Sequence, residues 1–193
     1  MWLRLVGVLG LVWSTSGTAQ GANTPLDGSV DFQGHRGARG LSPENTIASF
    51  RDCLRHGIST LELDTTLTKD NQLIVHHDTY TNPSLCQSRT GGTIEKLRIR
   101  EVLTEELKLL DCGGRENSDF KEQRLAPGSN LITLPDFFEF VKSYEVEHPE
   151  EQPRFNIELK VDDSFTEEEL KVSAEVMVSA IRAAGMVSRT TVQ

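Results

Sequence analysis

The chain has 193 residues, of which 37% are hydrophobic and 25% are charged, the composition of an ordinary globular protein with a single domain. Twenty Lys and Arg residues against 29 Asp and Glu residues give a formal net charge of −9. This balance argues against nucleic acid or an anionic membrane as a partner, because both favour a basic face. No apolar run approaches the ~20 residues that span a bilayer, so we expect no stable membrane insertion.

The first twenty residues have the order of a secretory signal peptide. Arg4 supplies a positive charge, residues 5–13 are apolar or Gly, and small and polar residues follow up to Ala22. Cleavage is expected near Ala19. An uncleaved anchor is the alternative, which the short apolar stretch disfavours. We therefore expect residues 1–20 to be removed and the protein to be secreted or periplasmic.

A strand and a helix are predicted next. Residues 29–34 form a short strand whose apolar positions are Val30 and Phe32. Ser42 is a suitable N-cap and Pro43 a suitable first helical residue, while Gly57 suits the left-handed position after the last turn. One apolar face follows the helical period through Ile47, Phe50 and Leu54.

Two strands and a turn come after this helix. Residues 60–68 alternate, with Leu61 and Leu63 on one side, and residues 73–77 return after a turn at 69–71. A turn centred between Asp70 and Asn71 pairs residues whose numbers sum to about 141. That register predicts that the His77 side chain returns beside Asp64, and that His76 points the other way.

Residues 79–130 form a long, polar, Gly-punctuated insertion with one predicted helix over 103–110. Cys86 and Cys112 flank part of it and could pair in an oxidising compartment, although the sequence leaves that pairing open. Cys53 lies on the apolar face of the first helix, so we expect a buried free thiol.

The remaining elements are two helices and two strands. Thr133 with Asp136, and Thr166 with Glu169, have capping-box spacing. Strands are predicted at 155–160 and 190–193, and the apolar face of the last helix is predicted to hold Leu170, Ala174, Met177, Ile181 and Ala184. Alternating strands and helices imply parallel strands with helical crossovers. A (β/α)8 barrel typically needs ~250 residues, so we expect residues 29–193 to be an incomplete, N-terminal part of such a domain.

Three acidic residues form a candidate metal site. Glu62 and Asp64 share one face of a strand, and Glu158 has the same parity on another strand. Three hard oxygen ligands without Cys or His favour Mg²⁺ or Ca²⁺. The alternative is a solvated strand face, and the E-x-D spacing alone does not exclude it.

Basic residues are predicted around the same place. His35 ends the first strand within G-H-R-G, where catalytic groups of barrels gather. Arg36 offers a planar fork for a phosphate, and His77 is placed nearby by the predicted hairpin. The alternatives are a plain turn for G-H-R-G and a lone polar strand end for His77. The nucleotide-binding patterns G-x-G-x-x-G and G-x-x-x-x-G-K-[ST] do not occur.

The order of several short motifs resembles the glycerophosphodiester phosphodiesterase family. They are H-R-G at 35–37, P-E-N-T at 43–46, E-L-D at 62–64, T-K-D at 68–70, V-H-H-D at 75–78 and I-E-L-K at 157–160. The resemblance implies a TIM (β/α)8 barrel of the phospholipase-C-like phosphodiesterase type with one divalent cation. It assigns the cation to Glu62, Asp64 and Glu158, and acid–base roles to His35 and His77. It assigns substrate binding to Arg36, Glu44 and Lys160.

The resemblance therefore implies hydrolysis of a small glycerophosphodiester to glycerol 3-phosphate and an alcohol. One imidazole would deprotonate the glycerol 2-hydroxyl and the other would protonate the departing alcohol, which suits groups with pKa values near 6.5. The alternatives are a phosphoinositide-type phospholipase C and a non-catalytic binding protein on the same barrel. The sequence determines neither the leaving alcohol nor the oligomeric state.

Overall fold

The computed structural model describes residues 30–90 and 93–193, so the signal peptide predicted over 1–20 lies outside the described residues. Within them the strands are β1 (Gln33–Gly34), β2 (Thr60–Leu67), β3 (Leu73–Val75), β4 (Gln87–Ser88), β5 (Leu110–Asp111), β6 (Arg154–Leu159) and β7 (Thr190–Val192). The α-helices of the same residues are α1 (Ile47–Arg55), α2 (Thr104–Leu107), α3 (Leu134–Glu147) and α4 (Glu167–Ala184).

The main sheet confirms the predicted parallel strands. β1, β2, β6 and β7 lie side by side in this order and are all parallel, while β3 pairs antiparallel with β2. α1 lies between β1 and β2 in the chain, and α4 lies between β6 and β7. Successive strand–helix units of this kind are the building blocks of a (β/α)8 barrel.

The first strand is shorter than predicted. Only Gln33 and Gly34 pair with β2, whereas Val30 and Phe32 are 73% and 69% exposed. Before that point the chain contacts the sheet through a side chain, since Thr60 Oγ1 donates to Asp31 Oδ1 at 2.9 Å. Apolar alternation alone therefore overestimated the length of this strand.

The first helix begins four residues later than predicted. Thr46, not Ser42, is the N-cap, and Ser42 Oγ instead donates to Asp52 Oδ2 at 2.5 Å. The intervening residues turn back on the preceding loop, because Asn45 has a φ of 56° and its backbone N–H donates to Arg36 O at 3.0 Å. This turn places the Asn45 amide beside Asp64, with Nδ2 donating to Asp64 Oδ2 at 2.9 Å.

The N-caps and the glycines predicted at the other helix ends are confirmed. Thr133 and Thr166 are N-caps with complete capping boxes, and Gly185 ends α4 with a φ of 78°. Gly57 follows α1 with a φ of 75°. Both glycines occupy the left-handed region that side chains with a Cβ disfavour.

The buried face of α4 differs from the predicted one in its first half. Leu170 is 40% exposed and Ala174 is exposed, whereas Ser173 is fully buried one turn before Met177 and Ile181. Burial of Ser173 is tolerated because its hydroxyl donates to a backbone carbonyl of the preceding turn at 2.7 Å. A pattern based on hydrophobicity alone misses a polar residue that is satisfied in this way.

The predicted β2–β3 register was wrong by one residue. The strands pair with residue numbers that sum to 140, as in 65 with 75, so the turn is centred on Asp70 itself. His76, not His77, lies opposite Asp64, and His76 N donates to Asp64 O at 3.0 Å. The turn over 69–71 is centred on Asp70 and not between Asp70 and Asn71, with Asn71 at a φ of 56°.

The insertion over 79–130 contains more structure than the sequence predicted. α2 lies inside the predicted helix 103–110 but covers about half of it, and β4 pairs antiparallel with β5. Cys86 and Cys112 form a disulfide, and Cys53 is a buried free thiol. The bridge connects the start of the insertion to the residue that follows β5.

The core packs the sheet against α1, α3 and α4. Phe50, Phe137, Phe138 and Phe155 are buried, and four ring pairs among them have centroids 4.8–5.6 Å apart. Across the described ranges, no helix combines the length and the apolar composition that crossing a membrane requires.

Candidate active site

Three carboxylates meet on two neighbouring parallel strands. Glu62 and Asp64 project from one face of β2, while the alternating leucines of that strand belong to the core. Asp64 is the register partner of Glu158 on β6. As a result, Glu62, Asp64 and Glu158 each place an oxygen within 4.8 Å of the others.

Glu62 is held in a buried, acidic environment. Its Oε2 accepts a hydrogen bond of 2.5 Å from the backbone N–H of Arg36. Burial raises the pKa of Glu62 to about 7, against the lowering effect of that hydrogen bond and with a further upward contribution from Asp64 and Glu158. A cation beside the cluster would therefore favour the ionised form of Glu62.

Asp64 is 1% exposed and lies among cationic groups. Its Oδ2 accepts from Asn45 Nδ2 at 2.9 Å and lies 3.3 Å from Arg36 Nε. Its Oδ1 lies 3.3 Å from Lys160 Nζ but makes no hydrogen bond of acceptable geometry. An underused oxygen on a buried carboxylate, beside two more carboxylates, is a donor set suited to Mg²⁺ or Ca²⁺.

Lys160 follows β6 and bridges two of the acids. Its Nζ donates to Glu158 Oε1 at 2.5 Å and is the same ammonium that faces Asp64. Burial alone would lower the pKa of Lys160, but its hydrogen bond to Glu158 and the charge of Asp64 raise it. The side chain therefore stays charged at neutral pH and offsets part of the negative charge of the cluster.

Arg36 reaches the cluster from the loop after β1. It has a φ of 53° and is 8% exposed. Its Nη1 lies 2.8 Å from Glu44 Oε1, and Arg39 Nε lies 2.6 Å from the second oxygen of the same carboxylate. Gly37 allows this turn to contact α1, because a Cβ there would lie 2.6 Å from Ser49 Oγ. Glu44 therefore orients two arginines at once.

His35 lies directly after β1 and is exposed. Partial burial and the neighbouring charges of Arg36 and Arg39 lower its pKa, while Asp64 and Glu44 act in the opposite direction. The ring is therefore neutral at pH 7, which is the form that accepts a proton.

The two histidines after β3 have different environments. His76 is buried, its Nε2 lies 3.1 Å from Tyr80 O, and burial lowers its pKa. His77 is partly exposed, and its Nδ1 lies 2.8 Å from Asp78 Oδ1. In the observed register His77 does not lie opposite Asp64. The expectation that His77 takes part in proton transfer therefore depends on the V-H-H-D motif at 75–78 and on its contact with Asp78.

Asp78 connects His77 to a cavity beside the arginines. Its second oxygen accepts from Asn82 Nδ2 at 2.9 Å. Burial would raise the pKa of Asp78, but the hydrogen bonds from His77 and Asn82 outweigh it and lower the pKa. The cavity has a volume of about 280 Å³ and is lined by Arg36, Arg39, Glu44, Asp78, Asn82, Ser84, Leu85, Glu116, Asn117, Ser118 and Asp119.

A larger cavity of about 590 Å³ lies elsewhere, between α1 and residues 124–132. None of the predicted site residues lines it. Because Arg36, Glu44 and Asp78 line the smaller cavity and Arg36 contacts Asp64 of the carboxylate cluster, we take the smaller one as the mouth of the candidate site.

The sequence reasoning missed Asn45, Arg39 and Asn82. Asn45 was visible within P-E-N-T at 43–46, but nothing in the spacing indicated that its amide would contact Asp64. Arg39 and Asn82 lie in loops, whose geometry a periodicity argument does not reach. Arg39 orients Glu44, and Asn82 orients Asp78.

Comparison with known proteins identifies similar chains. The sequence model of the Glycerophosphoryl diester phosphodiesterase family matches residues 35–190. A glycerophosphodiester phosphodiesterase from Caldanaerobacter subterraneus is 34% identical over 107 residues, which is 55% of this chain and 38% of the relative. This chain spans 34–38% of the length of the curated relatives that match it over about half its own length.

Solved structures show the same fold. A protein from Silicibacter pomeroyi, described as a glycerophosphoryl diester phosphodiesterase, superposes with a TM-score of 0.77 at 25% identity, over 89% of this chain and 58% of the other. A phosphodiesterase from Oleispira antarctica, solved in complex with the product sn-glycerol-3-phosphate, gives a TM-score of 0.57 at 25% identity, over 78% and 51%. The fold is that of a TIM barrel, and the described residues contain four of its parallel strands.

Proposed function

Because this chain belongs to the glycerophosphoryl diester phosphodiesterase family, we propose that the protein hydrolyses glycerophosphodiesters to glycerol 3-phosphate and an alcohol. The observation that carries the proposal is the convergence of Glu62, Asp64 and Glu158 beside the buried guanidinium of Arg36. Carboxylates that gather a cation next to an arginine fork are the groups that phosphoryl transfer needs.

The acidic cluster is proposed to hold one divalent cation, Ca²⁺ or Mg²⁺. Its ligands would be Glu62, Asp64 and Glu158, whose oxygens lie close enough to share an ion. When bound, the cation would neutralise negative charge on the phosphoryl oxygens. Arg36 would bind the same phosphate, and Glu44 would hold the guanidinium in place through its contact of 2.8 Å.

Proton transfer is assigned to the two predicted histidines. His35 is proposed as the base that takes the proton of the glycerol 2-hydroxyl, since its lowered pKa keeps it neutral. That hydroxyl then attacks phosphorus, and water subsequently opens the resulting cyclic phosphate. His77 is proposed as the acid that protonates the leaving alcohol, because Asp78 at 2.8 Å orients its ring. Lys160 is proposed to align Glu158 and Asp64 through its contacts with both.

The proposal is tested by hydrolysis of glycerophosphocholine with and without a chelator, with glycerol 3-phosphate as the measured product. We expect activity to disappear on chelation and to return with the divalent cation. His77→Ala should lower turnover by about 10²–10⁴, whereas His56→Ala, an exposed histidine at the end of α1, should leave it nearly unchanged. Activity that survives exhaustive chelation would refute the metal role. A normal rate in the His77 variant would refute its catalytic role.

We also propose that the protein acts outside the cytoplasm, after removal of the segment before residue 20. The disulfide between Cys86 and Cys112 supports this proposal, since such bonds persist in oxidising compartments. N-terminal sequencing of the protein from its native host tests it. An N-terminus at Met1 would count against cleavage.

A further inference from the structure

Asn82 uses both ends of its side-chain amide. Its Nδ2 donates to Asp78 Oδ2 at 2.9 Å, and its Oδ1 accepts from the backbone N–H of Ser84 at 3.0 Å. The two contacts determine which end of the amide carries the N–H groups, because a carboxylate only accepts and a backbone N–H only donates. The amide therefore has one orientation, in which its N–H groups face Asp78.

The turn that carries Asn82 is anchored to the rest of the insertion. The Asn82 carbonyl accepts from the backbone N–H of Leu85 at 3.1 Å and from that of Cys86 at 2.8 Å. The disulfide joins Cys86 to Cys112, the residue after β5. We refer to residues 82–86 as the Asn82 turn. Because the disulfide holds the end of this turn, Asn82 is in position before any ligand binds.

The residue before the Asn82 turn is anchored as well. Thr81 is 4% exposed. Its Oγ1 donates to Glu95 O at 2.6 Å and accepts from the backbone N–H of Leu97 at 2.8 Å. Its own backbone N–H donates to Leu97 O at 2.8 Å. Asn82 is therefore held from both sides, and its side chain is a fixed hydrogen-bond donor to Asp78.

The Asp78 carboxylate has two hydrogen-bond partners among the described residues. Its Oδ1 lies 2.8 Å from His77 Nδ1, and its Oδ2 accepts from Asn82. The Asp78 side chain is 42% exposed, so without Asn82 the partner of Oδ2 would be water and the carboxylate would be free to rotate away from His77. Asn82 is thus the contact that keeps the plane of the carboxylate fixed.

The orientation of the carboxylate determines which nitrogen of His77 carries a proton. Burial would raise the pKa of Asp78, but the hydrogen bonds from His77 and Asn82 lower it. Asp78 is therefore ionised at neutral pH and accepts a hydrogen bond from Nδ1. Nε2 is then the nitrogen that remains for exchange of a proton with a substrate. In a ring that loses the contact with Asp78, either nitrogen can carry the proton.

We propose that Asn82 is a positioning residue for proton transfer to the leaving alcohol, because it fixes the carboxylate that orients His77. This inference rests on the proposed function and deepens it. In the step concerned, the bond between phosphorus and the alcohol oxygen breaks, its electron pair stays on that oxygen, and the proton of His77 Nε2 neutralises the oxygen. The role assigned to Asn82 requires no contact with the substrate.

The test compares two substrates that differ in how much they need the acid. Glycerophosphocholine releases a poorly acidic alcohol, whereas the p-nitrophenyl diester of glycerol 3-phosphate releases an anion that is stable without protonation. In Asn82→Ala, we expect kcat for glycerophosphocholine to fall by about three- to tenfold, the range for one hydrogen bond, and kcat for the p-nitrophenyl diester to stay unchanged. His77→Ala should show the same pattern with a larger loss. A general loss of folded protein would lower both rates equally.

Three further variants separate the hydrogen-bond donor from the turn. Asn82→Asp keeps an oxygen for the Ser84 N–H but has no N–H to donate to Asp78, so it should lose at least as much turnover of glycerophosphocholine as Asn82→Ala. Asn82→Ala should have no further effect in Asp78→Ala, because both substitutions act through the same contact. Asn130→Ala removes a half-buried asparagine of the same insertion, at the larger cavity, and should leave both rates unchanged.

Three kinetic results would overturn the inference. They are equal losses with both substrates in Asn82→Ala, normal turnover of glycerophosphocholine in Asn82→Asp, and additive losses in the double variant. If the unsubstituted protein hydrolyses neither diester, the proposed function fails, and the position of the proton decides the inference. Nitrogen NMR of isotope-labelled histidine must then show the neutral His77 ring with its proton on Nδ1, and a mixture of both tautomers in Asn82→Ala. The same tautomer in both proteins would overturn the inference.

Discussion

If Glu62 is a ligand, the affinity for the cation should depend on pH, because Glu62 must lose its proton before it can bind the ion. Its carboxyl has a pKa of about 7 because it is buried beside Asp64 and Glu158, yet a cation binds only the ionised form. The apparent dissociation constant therefore scales with one plus the ratio of protonated to ionised Glu62. That factor is about 11 at pH 6 and about 1.1 at pH 8, so the cation should bind about tenfold more weakly at pH 6.

Calcium titration of chelator-treated protein at pH 6, 7 and 8, by isothermal calorimetry, measures this change directly. Glu62→Gln removes the titrating group, so its binding should be weaker at every pH but nearly independent of pH. The stability of the ion-free protein should change in the opposite sense. Since the folded pKa lies above the unfolded value of 4.5, the stabilising contribution of protonated Glu62 is full below about pH 4.5 and is lost as the pH rises through about 7.

A dissociation constant that stays constant between pH 6 and pH 8 would refute this reasoning. It would mean either that Glu62 is not a ligand or that it is already ionised without the cation. A pH dependence that persists unchanged in Glu62→Gln would assign the titration to another group.

Two further predictions concern stability. Phe137→Ala should lower the free energy of unfolding by about 3–5 kcal/mol, because the ring is fully buried among three others. Val146→Ala, at an 83% exposed position, should change it by less than about 0.5 kcal/mol in the same urea titration, and similar losses in the two variants would contradict the described core. Replacing Cys86 and Cys112 by Ser should cost about 3–4 kcal/mol, the chain-entropy value for a separation of 26 residues; unchanged stability would show that the bridge does not restrict the unfolded chain.

The parts of the fold with strong local signals were predictable from the sequence. α3 and α4 begin at the capping boxes of Thr133 and Thr166. In each box the two residues exchange hydrogen bonds, because the side chain of each accepts from the backbone N–H of the other. The strand parity that separates Leu61 from Glu62 is equally local. Such features need no knowledge of distant residues.

The errors occurred where a distant or satisfied partner decided the outcome. The β2–β3 turn is centred on Asp70, so His76 and not His77 lies opposite Asp64. A register shift of one residue moves every side chain of a strand to the other face. The start of α1 moved because Asn45 turned back to the loop after β1. Neither effect changes the periodic pattern of apolar residues from which the elements were predicted.

The candidate site divides in the same way. The positions of Glu62, Asp64 and Glu158 on shared strand faces were predictable, because parity alone determines them. The dual contact of Glu44 and the amide of Asn45 were not, since a loop contributes both residues. Loop geometry depends on tertiary contacts that a single sequence does not display.

The pairing of β2 with β6 brings together residues 94 positions apart, since Asp64 is the register partner of Glu158. A contact between such distant positions carries a large loop-closure cost and forms slowly during folding. The proposed cation ligands are consequently divided between an early and a late segment of the chain, and each segment alone has an incomplete set of them. A divalent ion that binds the closed seam and not the open chain should then shift the equilibrium towards the paired strands.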